Sequence, residues 1–199
     1  MGRAIYNNSY FALRHGTSTA NEAGIVVADP ANGVSGYGLS PDGRTDTRAR
    51  LETAMTDLRF RPGSTLCFSS DFLRALETAE IFCDILGRSS PRIDERLRER
   101  FFGELELGPN TGYDEIWARD LEDPDHHHRG CASPREVAAR VRSLLEELEE
   151  NLAGQTIVFV SHGDTLQITQ TIFHGMEPHL HRSLPHLENA ELRRLDPMT

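Results

Sequence analysis

The sequence predicts an α/β fold: a three-layer α/β/α sandwich around a mostly parallel central sheet. Three observations predict it. Apolar runs at Tyr6–Leu13, Ser64–Ser69 and Thr156–Val160 read as strands. Segments with helical spacing alternate with them. Helices between strands imply βαβ units and a parallel sheet. The 199 residues carry no internal repeat and no low-complexity tract, so one domain over 1–199 is expected.

After the first strand, Gly33 to Gly43 is a Gly/Pro/Ser loop, and a helix is expected from about Gly43 to Leu58. Pro62-Gly63 is a turn before the second strand. Asp71 can cap a helix carrying Leu73, Leu76, Ile81 and Ile85, which Gly87 ends. Ile93 marks a short third strand. Phe102 to Ala132 reads as irregular, with 103–132 a lid-like insertion. Ser133, Pro134 and Glu136 form a capping box ahead of a helix with Val137, Val141, Leu144, Leu145 and Leu148 on one face. Gly154 is expected to close that helix. The fourth strand is followed by a helix from Asp164 to about Phe173, and Asn189–Leu195 reads as a last short strand.

Composition narrows the class. A hydrophobic fraction of 38% with 26% charged residues fits a soluble globular protein. No run approaches the roughly 20 apolar residues of a membrane span, and the N-terminus lacks an apolar signal core. Met1-Gly2 opens like a myristoylation site, but Tyr6 stands where Ser or Thr is needed. No membrane partner and a cytoplasmic location are expected. Cys67, Cys83 and Cys131 do not form a disulfide framework, and Cys67 lies in an apolar strand. A net charge of −10 argues against nucleic acid, but not against an anionic substrate met by a local arginine cluster. All 21 basic residues are arginine, which excludes a P-loop lysine and a Schiff-base lysine.

Ligands of such sheets bind at the carboxyl ends of the strands. Three segments lie there: Arg14-His15-Gly16, Ser69-Ser70-Asp71 with Arg74 one turn on, and Ser161-His162-Gly163. Arginine holds phosphate through a planar fork. Helix N-termini near Gly16 and Gly163 would add N–H donors. A neutral His15 could attack phosphorus, with His162 donating to the transferring oxygens. The leaving oxygen then needs a protonated carboxyl group. Glu99, Glu104 and Glu106 are the candidates, and spacing does not choose between them.

Several motifs in order resemble the histidine phosphatase superfamily, the fold of phosphoglycerate mutases and related phosphatases. They are Arg14-His15-Gly16 with Ser18 and Asn21; Leu39-Ser40-Pro41-Asp42-Gly43; Ser69-Ser70-Asp71 with Arg74-Ala75 and Thr78-Ala79; Glu99-Arg100-Phe101-Phe102-Gly103; and His162-Gly163. Leu187–Leu195 resembles the closing strand. The resemblance implies His15 as phosphorylated nucleophile and Glu99 as proton donor. It implies Arg14, Arg74, His162, Gly163 and Asn21 around the phosphate, with no metal and no cofactor.

The chain departs from the mutase pattern. Thr17 replaces an acidic residue or glutamine, the 21–38 loop is longer, and Trp117-Ala118-Arg119 offers one arginine where a pair is expected. These departures favour hydrolysis. The expected activity is a metal-independent phosphatase acting on a small phosphorylated metabolite, or on a phosphoprotein, through a phosphohistidine. The alternatives are a phosphoglycerate mutase-type transferase and a non-catalytic phospho-ligand-binding module. His126-His127-His128 beside Asp123-Pro124-Asp125 reads as a solvated lid loop rather than a metal site. Cys67 and Arg74 stand one position too far apart for a cysteine phosphatase loop.

Overall fold

The computed structural model describes residues 6–196, so the Met1-Gly2 start lies outside the described residues. Five strands run β1 Ser9–Arg14, β2 Thr65–Ser69, β3 Arg92–Ile93, β4 Thr156–Ser161 and β5 Leu192–Leu195. Their order in the sheet is β3-β2-β4-β1-β5. β4 pairs in parallel with β1 and β2, and β2 with β3, while β5 runs antiparallel to β1. The helices are α1 Thr19–Ala23, α2 Pro30–Gly33, α3 Pro41–Leu58, α4 Leu73–Leu86, α5 Tyr113–Glu122, α6 Pro134–Asn151 and α7 Gly163–His174.

Side chains alternate across a strand, so each strand feeds two layers. Tyr10, Ala12, Phe68, Ile157 and Phe159 pack on one side against the predicted stripe of α6 and against Leu166, Ile168 and Ile172 of α7. Phe11, Leu13, Cys67, Val158 and Val160 pack on the other side against α3 and α4. This is the expected three-layer sandwich. A smaller cluster of Val26, Ala28, Phe102, Ile116 and Cys131 lies under the 103–132 segment. Cys67, Cys83 and Cys131 are buried free thiols. Among the described residues, no helix is long and apolar enough to cross a membrane.

Several boundaries move, each for a local reason. β1 starts three residues later than the apolar run and ends on Arg14, where Arg14 still pairs with Ser161. α3 starts at Pro41, because the Ser40 hydroxyl accepts from the Gly43 N–H at 3.1 Å. The Ser133–Glu136 capping box forms as expected. Asp71 does not cap α4: Phe72 holds that position, and the Asp71 carboxylate takes both ends of the Arg98 guanidinium at 2.8 and 2.6 Å. Gly87 ends α4 with a φ of 75°. Gly154 lies beyond α6 rather than closing it, since Leu152 is the C-cap. The stretch expected to be irregular contains α5, whose charged exterior hides its few buried positions, Ile116 among them.

Strand register aligns the segments that carry the candidate residues. Arg14 stands opposite Ser161, and Ser69 opposite Val160. Three strand ends therefore coincide, and His15, Ser70 and His162 leave the sheet side by side. Phe159 is fully buried in the central strand, among the α6–α7 layer. Truncating it with Phe159→Ala is expected to lower stability by about 3–5 kcal/mol. Urea unfolding checks this as a lower midpoint at unchanged slope.

Candidate active site

His15 is buried where β1 meets its turn. Its Nδ1 lies 2.8 Å from the Gly16 carbonyl. A carbonyl only accepts, so Nδ1 carries the proton and Nε2 the lone pair. Arg74 agrees with that tautomer, donating from Nε to His15 Nε2 at 3.1 Å. Burial, then the Arg74 and Arg14 charges, hold His15 well below the usual imidazole range. It is a neutral base whose Nε2 lone pair accepts from Arg74.

His162 sits 5.1 Å away, centroid to centroid, edge to face. The Ser70 hydroxyl accepts from the Phe72 N–H at 3.2 Å and meets His162 Nε2 at 3.0 Å. The His162 Nδ1 is buried and has no partner. Burial, then Arg74, keep this ring neutral too.

The arginines are held by their rear atoms. Arg14 Nη1 donates to the Leu187 carbonyl at 2.8 Å and to His186 Nε2 at 2.9 Å. His186 stays neutral, because burial and then the Arg14 and Arg182 charges lower it to about 4. Arg74 Nη2 donates to the Val27 carbonyl at 2.8 Å, and its guanidinium lies over the Phe72 ring. Among the described residues, Arg14 Nε and Arg74 Nη1 are buried donors with no acceptor, and His162 Nδ1 is buried without a partner. Unmatched buried guanidinium donors beside a neutral imidazole are the makings of an anion site.

Glu99 lines the same cavity, which measures about 200 Å³. Its Oε1 accepts from the Arg100 N–H at 2.8 Å and from the Thr165 N–H and hydroxyl at 3.2 and 3.1 Å. The second oxygen is the one left to carry a proton. Burial, then the Asp164 charge, push the carboxyl above its usual range. Glu104 and Glu106 are elsewhere. Glu106 accepts from the Ala28 and Asp29 N–H groups at 2.7 and 3.0 Å, and Glu104 is exposed near Arg129.

Gly163 lines the cavity as the first residue of α7, and a Cβ there would come within 3.1 Å of the His186 ring. Asn21 lines it from α1. Its Oδ1 caps that helix by accepting from Ser18, so the amide Nδ2 is what it can offer a ligand. The expected donor at Gly16 is absent: α1 starts at Thr19, and the Gly16 N–H goes to the Thr78 hydroxyl at 3.0 Å. Glycine is required there because a Cβ would lie 1.9 Å from Thr47 Oγ1.

The sequence did not reveal the rest of the wall. Tyr113 and Trp117 of α5 line the cavity, with Asn110, Phe102, Ile25, Asp164 and His186. Behind it lies a buried ion cluster. Arg100 forks onto Asp120 at 2.7 Å on both arms and reaches Asp164 at 3.2 Å. His181 donates to Asp164 at 3.1 Å, and Trp117 Nε1 does so at 3.0 Å. His126 is part of this cluster and not solvated, with Nε2 2.7 Å from Asp120. His128 pairs with Glu115 instead, so the three histidines diverge. Among the described residues, no group of three or more His, Cys, Asp or Glu side chains is placed to hold a metal ion.

The histidine phosphatase superfamily (branch 1) matches over residues 10–198. The chain belongs to the histidine phosphatase superfamily. Among similar proteins is a probable phosphoglycerate mutase of Photorhabdus laumondii, 28% identical over 94% of this chain and 83% of that one. Another is a putative phosphoserine phosphatase of Hydrogenobacter thermophilus, 29% identical over 83% of this chain and 78% of the other. Among solved structures, a mycobacterial glucosyl-3-phosphoglycerate phosphatase in complex with VO3 superposes with a TM-score of 0.77. It is 26% identical over 94% of this chain and 91% of that one. Family, relatives and solved neighbours together make phosphomonoesterase the enzyme class of this chain.

Arg100 and Asp120 are both fully buried. Arg100→Met strands two carboxylates and is expected to destabilise the protein by about 3–5 kcal/mol. Trp117, the single tryptophan, reads the same change locally. Its emission should shift at denaturant concentrations below the global unfolding transition seen by circular dichroism.

Proposed function

We propose that the protein hydrolyses phosphate monoesters through a phosphohistidine on His15, without a metal ion. One observation carries this reading: buried donors of Arg14 and Arg74 that lack acceptors, set beside a neutral His15 whose unprotonated Nε2 meets Arg74. The phosphoryl oxygens are the acceptors they suit. Guanidinium and imidazole N–H groups then provide the charge stabilisation that a metal gives elsewhere.

In the first step His15 Nε2 attacks phosphorus and the bond to the ester oxygen breaks. Glu99 gives its proton to that oxygen, and the alcohol leaves. In the second step the Glu99 carboxylate takes a proton from water, and the hydroxide formed attacks phosphorus. The P–N bond breaks, its electron pair returns to Nε2, and phosphate departs with Glu99 protonated again. Gly163 and Asn21 support the phosphate with N–H donors. The 103–132 segment acts as a lid within one domain, bringing Tyr113 and Trp117 over the cavity.

A mutase remains the second reading because of the relative named as one. Arg119, the lone arginine of that region, pairs at the surface with Glu122 at 2.6 Å, which favours hydrolysis. The rate at which phosphoenzyme disappears, followed by quenching portions in alkaline detergent where phosphohistidine survives, separates the two. The phosphoenzyme should discharge to water at the turnover rate, and faster discharge by phosphoglycerate would overturn hydrolysis.

His15→Ala is expected to abolish both phosphoenzyme and turnover; turnover surviving in that variant would sink the mechanism. Glu99→Gln should lower kcat on alkyl phosphates by about 10²–10⁴. The loss in kcat/KM should be far smaller on p-nitrophenyl phosphate, whose leaving group needs no proton, while phosphoenzyme should accumulate because its hydrolysis still needs the Glu99 base.

The pH dependence arises from two opposite shifts. His15, lowered, stays unprotonated and competent as pH falls below the usual imidazole range. Glu99, raised, stays protonated above the usual carboxylate range and is lost as pH rises through its folded value. The kcat/KM profile should therefore extend into acid and fall on the alkaline side, and it should be measured against pH to check both limbs.

A further inference from the structure

The lining of the catalytic cavity divides its charges between two ends. Among the described residues that line it, Arg14 is the single cation, Glu99 is the carboxyl that carries a proton, and Asp164 is the ionised carboxylate. The free donor of Arg14, its Nε, belongs to the phosphate end. Among the described residues, no second cation lines the cavity on the leaving-group side.

Asp164 does not lose its charge there. Arg100, His181 and Trp117 all donate to it, and the pairing with His181 and Arg100 holds it far below the usual carboxylate range. Asp120 faces the same Arg100, so this cluster offers the cavity no spare cation.

Nearby arginines do not fill the gap. Arg182 is stacked 3.7 Å over the Trp117 ring, which also stacks on Tyr113, and it donates to Gln167. Arg96 and Arg98 pair with Asp94 and Asp71. Arg140 gives its donors to the carbonyls of residues 96, 98 and 99 and to the Thr165 hydroxyl.

Size adds a second limit. A cavity of about 200 Å³ is smaller than the roughly 300–1,000 Å³ of sites for drug-sized ligands. Ile25, Phe102 and Trp117 supply apolar wall, and the Asn21 and Asn110 amides can meet hydroxyl groups.

Building on the phosphatase reading, we propose that the substrate is the phosphate ester of a small uncharged alcohol, and that Asp164 excludes a second anion by repulsion. Specificity of this kind comes from what the site penalises.

The test compares two esters of one carbon skeleton on the intact chain. Glycerol 3-phosphate carries a CH2OH group where 3-phosphoglycerate carries a carboxylate. Its kcat/KM is expected to be at least tenfold higher, mainly through KM. A ratio of one or below overturns the proposal.

Asp164→Asn, or Asp164→Ser if the first does not fold, should narrow the ratio several-fold by improving phosphoglycerate. A folded variant with the wild-type ratio overturns the role given to Asp164. Failure of the phosphatase reading looks different: no ester turns over, p-nitrophenyl phosphate included, although inorganic phosphate still binds.

Discussion

Two guanidiniums packed against an imidazole govern this protein. Arg74 touches His15 directly, and Arg14 lies in the same cavity wall. Burying two such charges without carboxylate partners is unfavourable on its own. The fold accommodates them by giving their rear atoms to carbonyls of Leu187 and Val27 and to a neutral His186. Arg14 Nε and Arg74 Nη1 remain buried without acceptors. The same charges keep His15 and His162 unprotonated, so nucleophile and anion cradle come from one arrangement.

The sandwich exists to hold that arrangement still. β1, β2 and β4 end in register, and the segment after each end carries a site residue. The closing segment reinforces it, with Asn189 donating to the His15 carbonyl at 3.0 Å. α7 contributes twice from one turn: Thr165 clamps one oxygen of Glu99, and Asp164 sets the charge beside it. Arg140 staples the backbone that carries Glu99 to α6. The acid and the nucleophile are thus fixed by different layers of the same sandwich.

The 103–132 segment obeys another logic. Its own apolar cluster is small, and its attachment is ionic, through Asp120 and His126 around Arg100. Asp120 and Arg100 are separated by 20 residues, and no periodicity announces the pair. His126 looked solvated because its neighbours are charged; its burial comes from the helix α5 folding back over it. Asp71 looked like a helix cap for a similar reason, and a distant arginine claimed it.

The sequence alone determined the strand ends and the residues placed on them. Local patterns decide those: apolar runs, glycine turns and capping boxes act within a few residues. It also limited the chemistry, through its histidines and its lack of lysine. Tertiary structure decided which carboxyl group shares the cavity, since Glu99, Glu104 and Glu106 differ only in where the chain turns them. It decided the His15 tautomer, because that proton's position depends on the Gly16 carbonyl. It also decided the charge of the leaving-group side, because pairing between distant residues sets which arginines remain free.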